Sequence, residues 1–418
     1  MEIHLKLKEK TFKSSLTYSS KEVNDVLQQK IMEESLYVER NATEKAKLFE
    51  LNLLDKAQYI SNSINIVSLF SGAGGLDLGV QIAHATSQYN ESFVYEKLKE
   101  KANFQKLIQN INIVYSNDLY SLANETYLKN IKGTAVKDSR DIRKVINFPQ
   151  SDLILGGFPC PGFSAAGPRL LDDPRNFLYI HYIRALVQSK PAFFIAENVK
   201  GLMTMAGGQV LAQIKEDFSA AGYVVTAHLV NARDYGVPQL RERVFIIGVR
   251  KDISEKYNYE YELPKPTHGE GKIPYVTLKD AIGDLPRLPN DVFISDYSSM
   301  YMSRNRKKTW NEQSFTIQAS GRQAPQHPEG KPMKKLEKDK WVFEGDFNRR
   351  LSVRECARVQ TFPDWFEFAT GDNNKVSKNS KLNEQYKQIG NAVPVVLADK
   401  ISRPILSFLA SYKALVKK

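Results

Sequence analysis

The chain has 418 residues, 42% of them hydrophobic and 25% charged, with a formal net charge of +12. That length allows roughly two or three domains with a sizeable core, and the positive surplus favours an anionic partner. No apolar run reaches bilayer length, MEIHLKLKEK is too charged for a signal peptide, and two cysteines cannot build a disulfide framework. The expectation is a soluble, cytoplasmic protein with no membrane partner. Without a Cys/His cluster at ligand spacing, no metal is expected either.

Residues 1–63 read as a helical extension. Ser19-Ser20 gives a helix start, and Val23, Val26, Leu27 and Ile31 follow at helical spacing. The texture changes at Ile64, where INIVSLF reads as a strand, SGAGG as a turn and LDLGVQIAHAT as a helix. Next come FVYEKLKEKANFQKL, an insertion, and the strand-like NIVYSN, SDLILGG, AFFIAEN, VVTAHLV and VFIIGVR. NFLYIHYIRALVQS and GGQVLAQIKEDFSAAG lie among them as helices. This alternation predicts an α/β domain over residues 64–260, with a parallel sheet covered on both faces. From residue 261 prolines multiply and the alternation fails, which predicts a smaller irregular domain over 261–384. Residues 385–418 end in an amphipathic helix that returns to the larger domain.

Three stretches carry chemistry. Phe70-Ser71-Gly72-Ala73-Gly74-Gly75 follows the first strand and opens a helix, where glycine lets a ligand approach the helix N-terminus. Asp77 stands where a dinucleotide fingerprint needs its third glycine, so that reading is set aside. Asp118 and Asp141 fall near strand ends, as carboxylates for a ribose hydroxyl and an adenine amine or as solvated loop residues. Cys160 sits between Pro159 and Pro161, beyond the apolar run Leu153-Ile154-Leu155. Those prolines restrict the backbone and remove two amide donors, so the side chain is presented stiffly at a strand end.

In order along residues 64–418, FSGAGGLDLG, GGFPCPGFS, AENVKGL, QLRERVFIIG, RRLSVRECARVQTFPD and QIGNAVP resemble the motifs of the C5-cytosine DNA methyltransferase family. Pro161 departs from the pattern, since the family usually has glutamine there. The resemblance implies an S-adenosylmethionine-dependent methyltransferase with a Rossmann-like large domain and a smaller, irregular target-recognition domain. Carbon 5 of cytosine is a poor nucleophile, and addition of the Cys160 thiolate at carbon 6 would make it enamine-like. Glu197 would hold or protonate ring N3, while Arg241 and Arg243 would orient the cytosine O2, the ring and a nearby phosphate. S-adenosyl-L-methionine would lie against Phe70, Gly72 and Gly74, with Asp118 on the ribose and Asp141 on the adenine amine. Pro159, Leu178 and Asn391 would close its pocket. Glu96 competes for the ribose, but the strand-then-helix reading around Asp118 favours Asp118. Cys356 reads as a packed helix residue.

Residues 301–350 hold twelve Lys/Arg against six Asp/Glu, interleaved with Trp310, Phe315, Trp341, Phe343 and Phe347. Such a mixture suits phosphate contacts and base-edge reading. The segment from Tyr301 to Pro328 resembles the recognition segment of family members that methylate GGCC or GGNCC, which implies double-stranded DNA and a flipped base. Arg304 or Arg322 would read a guanine, while Lys307, Lys308 and, in the loop after Cys160, Arg175 would meet phosphates. A cognate restriction endonuclease is implied as a functional rather than physical partner, and a monomer suffices for a palindromic site. An RNA cytosine-5 methyltransferase and a catalytically silent DNA-binding regulator are the alternative readings.

Overall fold

The structure is a computed structural model that describes residues 19–159, 178–371 and 375–416. The chain enters through α1 (Ser20–Asn41) and α2 (Glu44–Leu54). Ser19 starts α1 through a capping box, its side chain accepting the Glu22 amide while Glu22 accepts the Ser19 amide. Then come β1 (Ile64–Leu69), α3 (Gly75–Thr86), α4 (Glu91–Leu98) and α5 (Lys101–Leu107). They are followed by β2 (Ile111–Asn117), α6 (Ser121–Asn130), β3 (Lys137–Asp138), β4 (Leu153–Gly156) and α7 (Leu178–Ser189). The sheet is completed by β5 (Phe193–Val199), α8 (Gln209–Ala220), β6 (Tyr223–Asn231), the short β7 (Gln239–Leu240), β8 (Glu242–Arg250) and α9 (Lys251–Tyr257).

Seven strands form one sheet in the order β3-β2-β1-β4-β5-β8-β6. Pairing is parallel from β3 to β5, whereas β8 runs antiparallel to both β5 and β6. The expectation of a wholly parallel sheet is therefore corrected at this edge. Residues 232–241 supply no crossover helix, only a 3-10 turn and β7, so the chain doubles straight back. Strand residues alternate between two cores. Ile64, Ile66, Leu153, Leu155, Phe193 and Ile195 face one, and Val67, Leu69, Ile154, Phe194 and Ala196 the other. Burial on both faces is why these strands read as unbroken apolar runs rather than alternating ones.

Past α9 the regular elements are short. They are α10 (Leu278–Ile282), β9 (Ser314–Phe315), the hairpin β10 (Lys334–Glu337) with β11 (Lys340–Val342), and α11 (Val353–Val359). The chain closes with α12 (Lys378–Asn391) and α13 (Val395–Val416), and α13 packs along α3. Phe293, Ile317, Leu351 and Cys356 join the first core, and β9 pairs with β7, which stitches the irregular stretch to the last hairpin of the sheet. Among the described residues, no helix is long and apolar enough to cross a membrane, and no group of His, Cys, Asp and Glu could hold a metal.

Candidate active site

One register row crosses the sheet: Asp138 pairs with Asn117, Asn117 with Leu69, Leu69 with Gly156, and Gly156 with Ala196. Phe70, Asp118 and Gly157 each follow this row directly, and Glu197 lies one residue beyond it on β5. Parallel strands spaced about 4.8 Å apart thus deliver these residues to one carboxyl-end edge, where open α/β sheets bind ligands.

At the β1 end the chain turns sharply, with Phe70 at φ 51° and Gly72 at φ 51°. A non-glycine residue at positive φ is strained, and such strain concentrates at functional sites. The Gly72 amide donates to Asp118 Oδ2 at 2.8 Å, and Asp118 Oδ1 accepts the Tyr120 amide at 2.8 Å. Asp118 is therefore locked beside the turn, whereas Glu96 is exposed on α4 and pairs with Lys99. A Cβ added to Gly72 would meet nothing within 4 Å, so the turn faces open space at the N-terminus of α3. Gly74 behaves differently. Its amide donates to the Ser71 carbonyl, and a Cβ there would strike Ile131 at 2.7 Å, so packing demands this glycine.

Asp141 caps the turn Ile142–Lys144 and forms a two-pronged ion pair with Arg143, Nη2 to Oδ2 at 2.5 Å. That pair holds its carboxyl below the usual range. Phe70 and Leu178 both pack on the rim of the second core, while Pro159 and Asn391 are exposed. Open space over a strained turn, a helix N-terminus, a fixed carboxylate and an apolar rim fit a cofactor with a carboxylate, a ribose and a flat base.

Next to this edge lies the end of β4. Cys160, Pro161 and Arg175 lie outside the described residues, and the chain is described up to Pro159. Asn198 donates Nδ2 to the Phe158 carbonyl at 3.2 Å, two residues before Cys160. A Cβ on Gly157 would come 3.2 Å from Glu197 Oε2, so the carboxylate lies directly over the start of the loop. Arg243 Nε meets Glu197 Oε1 at 2.8 Å, with both side chains mostly shielded. A carboxylate of fixed rotamer beside a strand-end loop can hold or pass a proton.

Arg241 has a different position. It is 1% exposed and donates to the carbonyls of Ile317, Gly390 and Ala392 at 3.0–3.1 Å. Burial, with Arg243 nearby, pushes its guanidinium down. The structure thus places it in a joint between β8, the irregular stretch and the end of α12 rather than at an open site. Gln239 and Gln360 complete the joint: Gln239 accepts the Ile317 amide and donates to Gln360, which donates to Ile389 and Ala392. Gly390 allows the close approach, because a Cβ there would lie 2.3 Å from the Gln318 carbonyl carbon.

The basic segment divides in two. Lys307 is 5% exposed, and its ammonium donates to the Phe347 carbonyl and Asn348 Oδ1, which takes it out of the surface set. Lys308 pairs with Glu312 at 2.7 Å. Arg306 and Arg350 are likewise buried against backbone carbonyls and tyrosine rings. Arg304 and Arg322 are exposed, as are Lys335 and Lys338 on the β10–β11 hairpin.

Lys137, Gln360 and Asn198 are the residues that sequence reasoning passed over. Lys137 donates to Ser71 Oγ at 2.6 Å and lies over the Tyr127 ring, and burial pushes its ammonium down to about 8. A lone lysine in a two-residue strand carries no sequence signal. Asn198 and Gln360 lie within AENVKGL and RRLSVRECARVQTFPD, and that position is their signal in the sequence.

A family model described as C-5 cytosine-specific DNA methylase matches residues 64–407. The chain is 54% identical over 407 residues to the Type II methyltransferase M.BsuRI of Bacillus subtilis, covering 96% of this chain and 91% of that one. It is 53% identical over 407 residues to the Type II methyltransferase M.BspRI of Lysinibacillus sphaericus, with 96% and 93% covered. Among solved structures, a prophage-encoded DNA modification methyltransferase from E. coli superposes with a TM-score of 0.58 at 23% identity, over 83% of this chain and 99% of that one. That likeness shows the shared fold.

Proposed function

Because the chain belongs to the C-5 cytosine-specific DNA methylase family, we propose a division of labour among its residues for methyl transfer from S-adenosylmethionine to carbon 5 of cytosine in DNA. The cofactor, when bound, supplies an electrophilic sulfonium methyl group. Phe70, the Gly72 turn, Asp118, Asp141, Pro159, Leu178 and Asn391 hold it, with Asp118 on the ribose and Asp141 on the adenine amine. Cys160 adds to carbon 6 of the flipped base, Glu197 holds the proton at N3, and carbon 5 becomes nucleophilic. Arg243 fixes the Glu197 carboxylate and reaches the cytosine O2. Once carbon 5 has taken the methyl group, leaving S-adenosylhomocysteine, loss of the carbon 5 proton to water expels the Cys160 thiolate from carbon 6, and return of the N3 proton to Glu197 restores the aromatic ring.

The observation that carries this reading is Glu197, ion-paired to Arg243 and placed over Gly157 at the entrance to the Cys160 loop. The substrate is read as double-stranded DNA with a GGCC or GGNCC palindrome, where Arg322 or Arg304 takes a guanine. Arg175, Lys308 and the hairpin lysines meet phosphates. Acting as a cytoplasmic monomer, the enzyme would mark the sites that a cognate restriction endonuclease cuts. Incubating the purified protein with labelled S-adenosylmethionine and either duplex DNA or tRNA tests this directly. Label in 5-methylcytosine of the duplex supports it. Label confined to tRNA would favour the RNA reading, and no transfer at all would favour a silent regulator.

A further inference from the structure

Among the described residues, a buried carboxylate on α2 carries the N-terminal extension to the cofactor edge. Glu50, on α2, is 2% exposed. Its Oε2 accepts Arg140 Nη1 at 3.0 Å and the Ile146 amide at 2.9 Å. Its Oε1 accepts the Asn147 amide at 2.9 Å and Asn147 Nδ2 at 3.2 Å. These donors bracket Asp141 in the chain. Arg140 faces two ways, because its guanidinium also grips Asp138 at 2.7 Å beneath the Phe49 ring. Asp138 ends β3 and takes the Tyr115 hydroxyl at 2.6 Å.

Apolar packing alone could dock a helix on this face, since burying a carboxylate is costly and its ion pairs often do little better than break even. Glu50 thus adds position rather than adhesion. It fixes both flanks of the turn that Asp141 caps. The second anchor of the extension offers a contrast. Tyr59 donates to Asp152 at 2.7 Å and Lys413 pairs with the same carboxylate at 2.8 Å, at the start of β4 and so on the opposite edge of the sheet.

We propose that Glu50 is a positioning residue for the S-adenosylmethionine site, through which the N-terminal extension braces the Asp138–Asn147 segment. This rests on the assignment of Asp141 to the cofactor given above. Equilibrium dialysis of the full chain with S-adenosylhomocysteine, without DNA, tests it. Glu50→Ala should weaken binding by about tenfold or more, the scale of a lost buried charged hydrogen-bond set. Glu50→Gln keeps the shape and loses the charge, so it should weaken binding by a smaller factor. Turnover at saturating cofactor should change little. Tyr59→Phe should lower the melting temperature and leave cofactor affinity as in the wild type.

Wild-type affinity in Glu50→Gln, with or without a lower melting temperature, overturns the proposal even if Glu50→Ala does not fold. Asp141→Ala separates the two claims. Unchanged affinity there overturns the Asp141 assignment and this route with it. Weakened affinity there, alongside normal Glu50 variants, overturns the brace alone.

Discussion

Arg243 and Glu197 meet across the β5–β8 ladder, Nε to Oε1 at 2.8 Å, on strands that run in opposite directions. The antiparallel insertion of β8 makes this possible, because it brings the start of β8 to the carboxyl end of β5. Glu197→Gln should lower the single-turnover methylation rate by about 10²–10⁴-fold, the usual worth of a general acid. Arg243→Lys keeps the charge and loses the planar fork, so its loss should be smaller, about tenfold. Cofactor affinity should hold in both. A Glu197→Gln enzyme with the wild-type rate would remove Glu197 from the chemistry.

Covalent addition separates the two cysteines. Duplex DNA carrying 5-fluorocytosine in the target should trap a protein–DNA adduct when cofactor is present, and Cys160→Ser should lose adduct and turnover together. Cys356 is fully buried, and burial pushes its thiol well above the ordinary range. Cys356→Ala should therefore keep activity and cost about 1 kcal/mol of stability for the small cavity. An adduct formed by the Cys160→Ser protein would overturn the assignment.

The sequence made the strand ends legible, because parallel strands buried on both faces announce themselves as apolar runs that stop at glycine. The β8 reversal was not legible. Val244 to Arg250 looks the same in either direction, and only the short 232–241 connection distinguishes them. Charge misled for a related reason. Composition counts Lys307, Arg306 and Arg350 as surface cations, yet each is buried against a backbone carbonyl: Lys307 and Arg350 against those of Phe347 and Ser295, far along the chain, and Arg306 against that of Tyr301 nearby. Asp118 could be chosen over Glu96 from local pattern. The duty of Glu50 could not, because its donors lie about ninety residues further along the chain.

Those buried cations sharpen a test of the DNA face. Replacing Lys335 and Lys338 by glutamine should weaken binding to all duplexes about equally and flatten the salt dependence by roughly one unit of slope per lost phosphate contact. Lys307→Met should leave the slope alone and lower the melting temperature instead, through loss of its contacts with Phe347 and Asn348. Titrations at several salt concentrations decide this. A slope that responds to Lys307 and ignores the hairpin would reverse the assignment.

Asp217 on α8 accepts the Tyr179 hydroxyl at 2.7 Å, and burial pushes its carboxyl up to about 6. Its folded-state pKa thus lies above its unfolded value near 3.8. The folded chain holds this proton more tightly, so the stabilisation is complete below about pH 4 and is lost as pH rises through about 6. Asp217→Asn keeps an acceptor for Tyr179 without the titration. Its stability relative to wild type should rise across that window, by up to about 3 kcal/mol on the scale of 1.36 kcal/mol per pKa unit. Urea melts from about pH 4 to 8 would show it. A difference independent of pH would mean that Asp217 is ionised throughout.

Arg322 is exposed on the turn Gly321–Gln323, which is held at its base: Ser320 caps the turn, and Asn383 Oδ1 on α12 accepts the Gly321 amide at 3.0 Å and faces Ser320 Oγ at 3.2 Å. A guanidinium on a fixed turn can hold the paired hydrogen bonds to guanine O6 and N7 that discriminate between bases. Arg322→Ala should therefore cost roughly 1–3 kcal/mol of discrimination at one base pair. The effect should appear as methylation of sites altered at one guanine. Cofactor affinity should not change, because Arg322 lies outside the residues assigned to the cofactor edge. Asn383→Ala should give a weaker version of the same relaxed choice, since it loosens the turn and leaves the guanidinium in place. Bisulfite sequencing of a randomised duplex pool reads both variants at once. A uniform fall in rate with the site unchanged would make Arg322 a phosphate contact. Methylation centred on a motif unlike GGCC or GGNCC would refute the palindrome while leaving the cysteine chemistry standing.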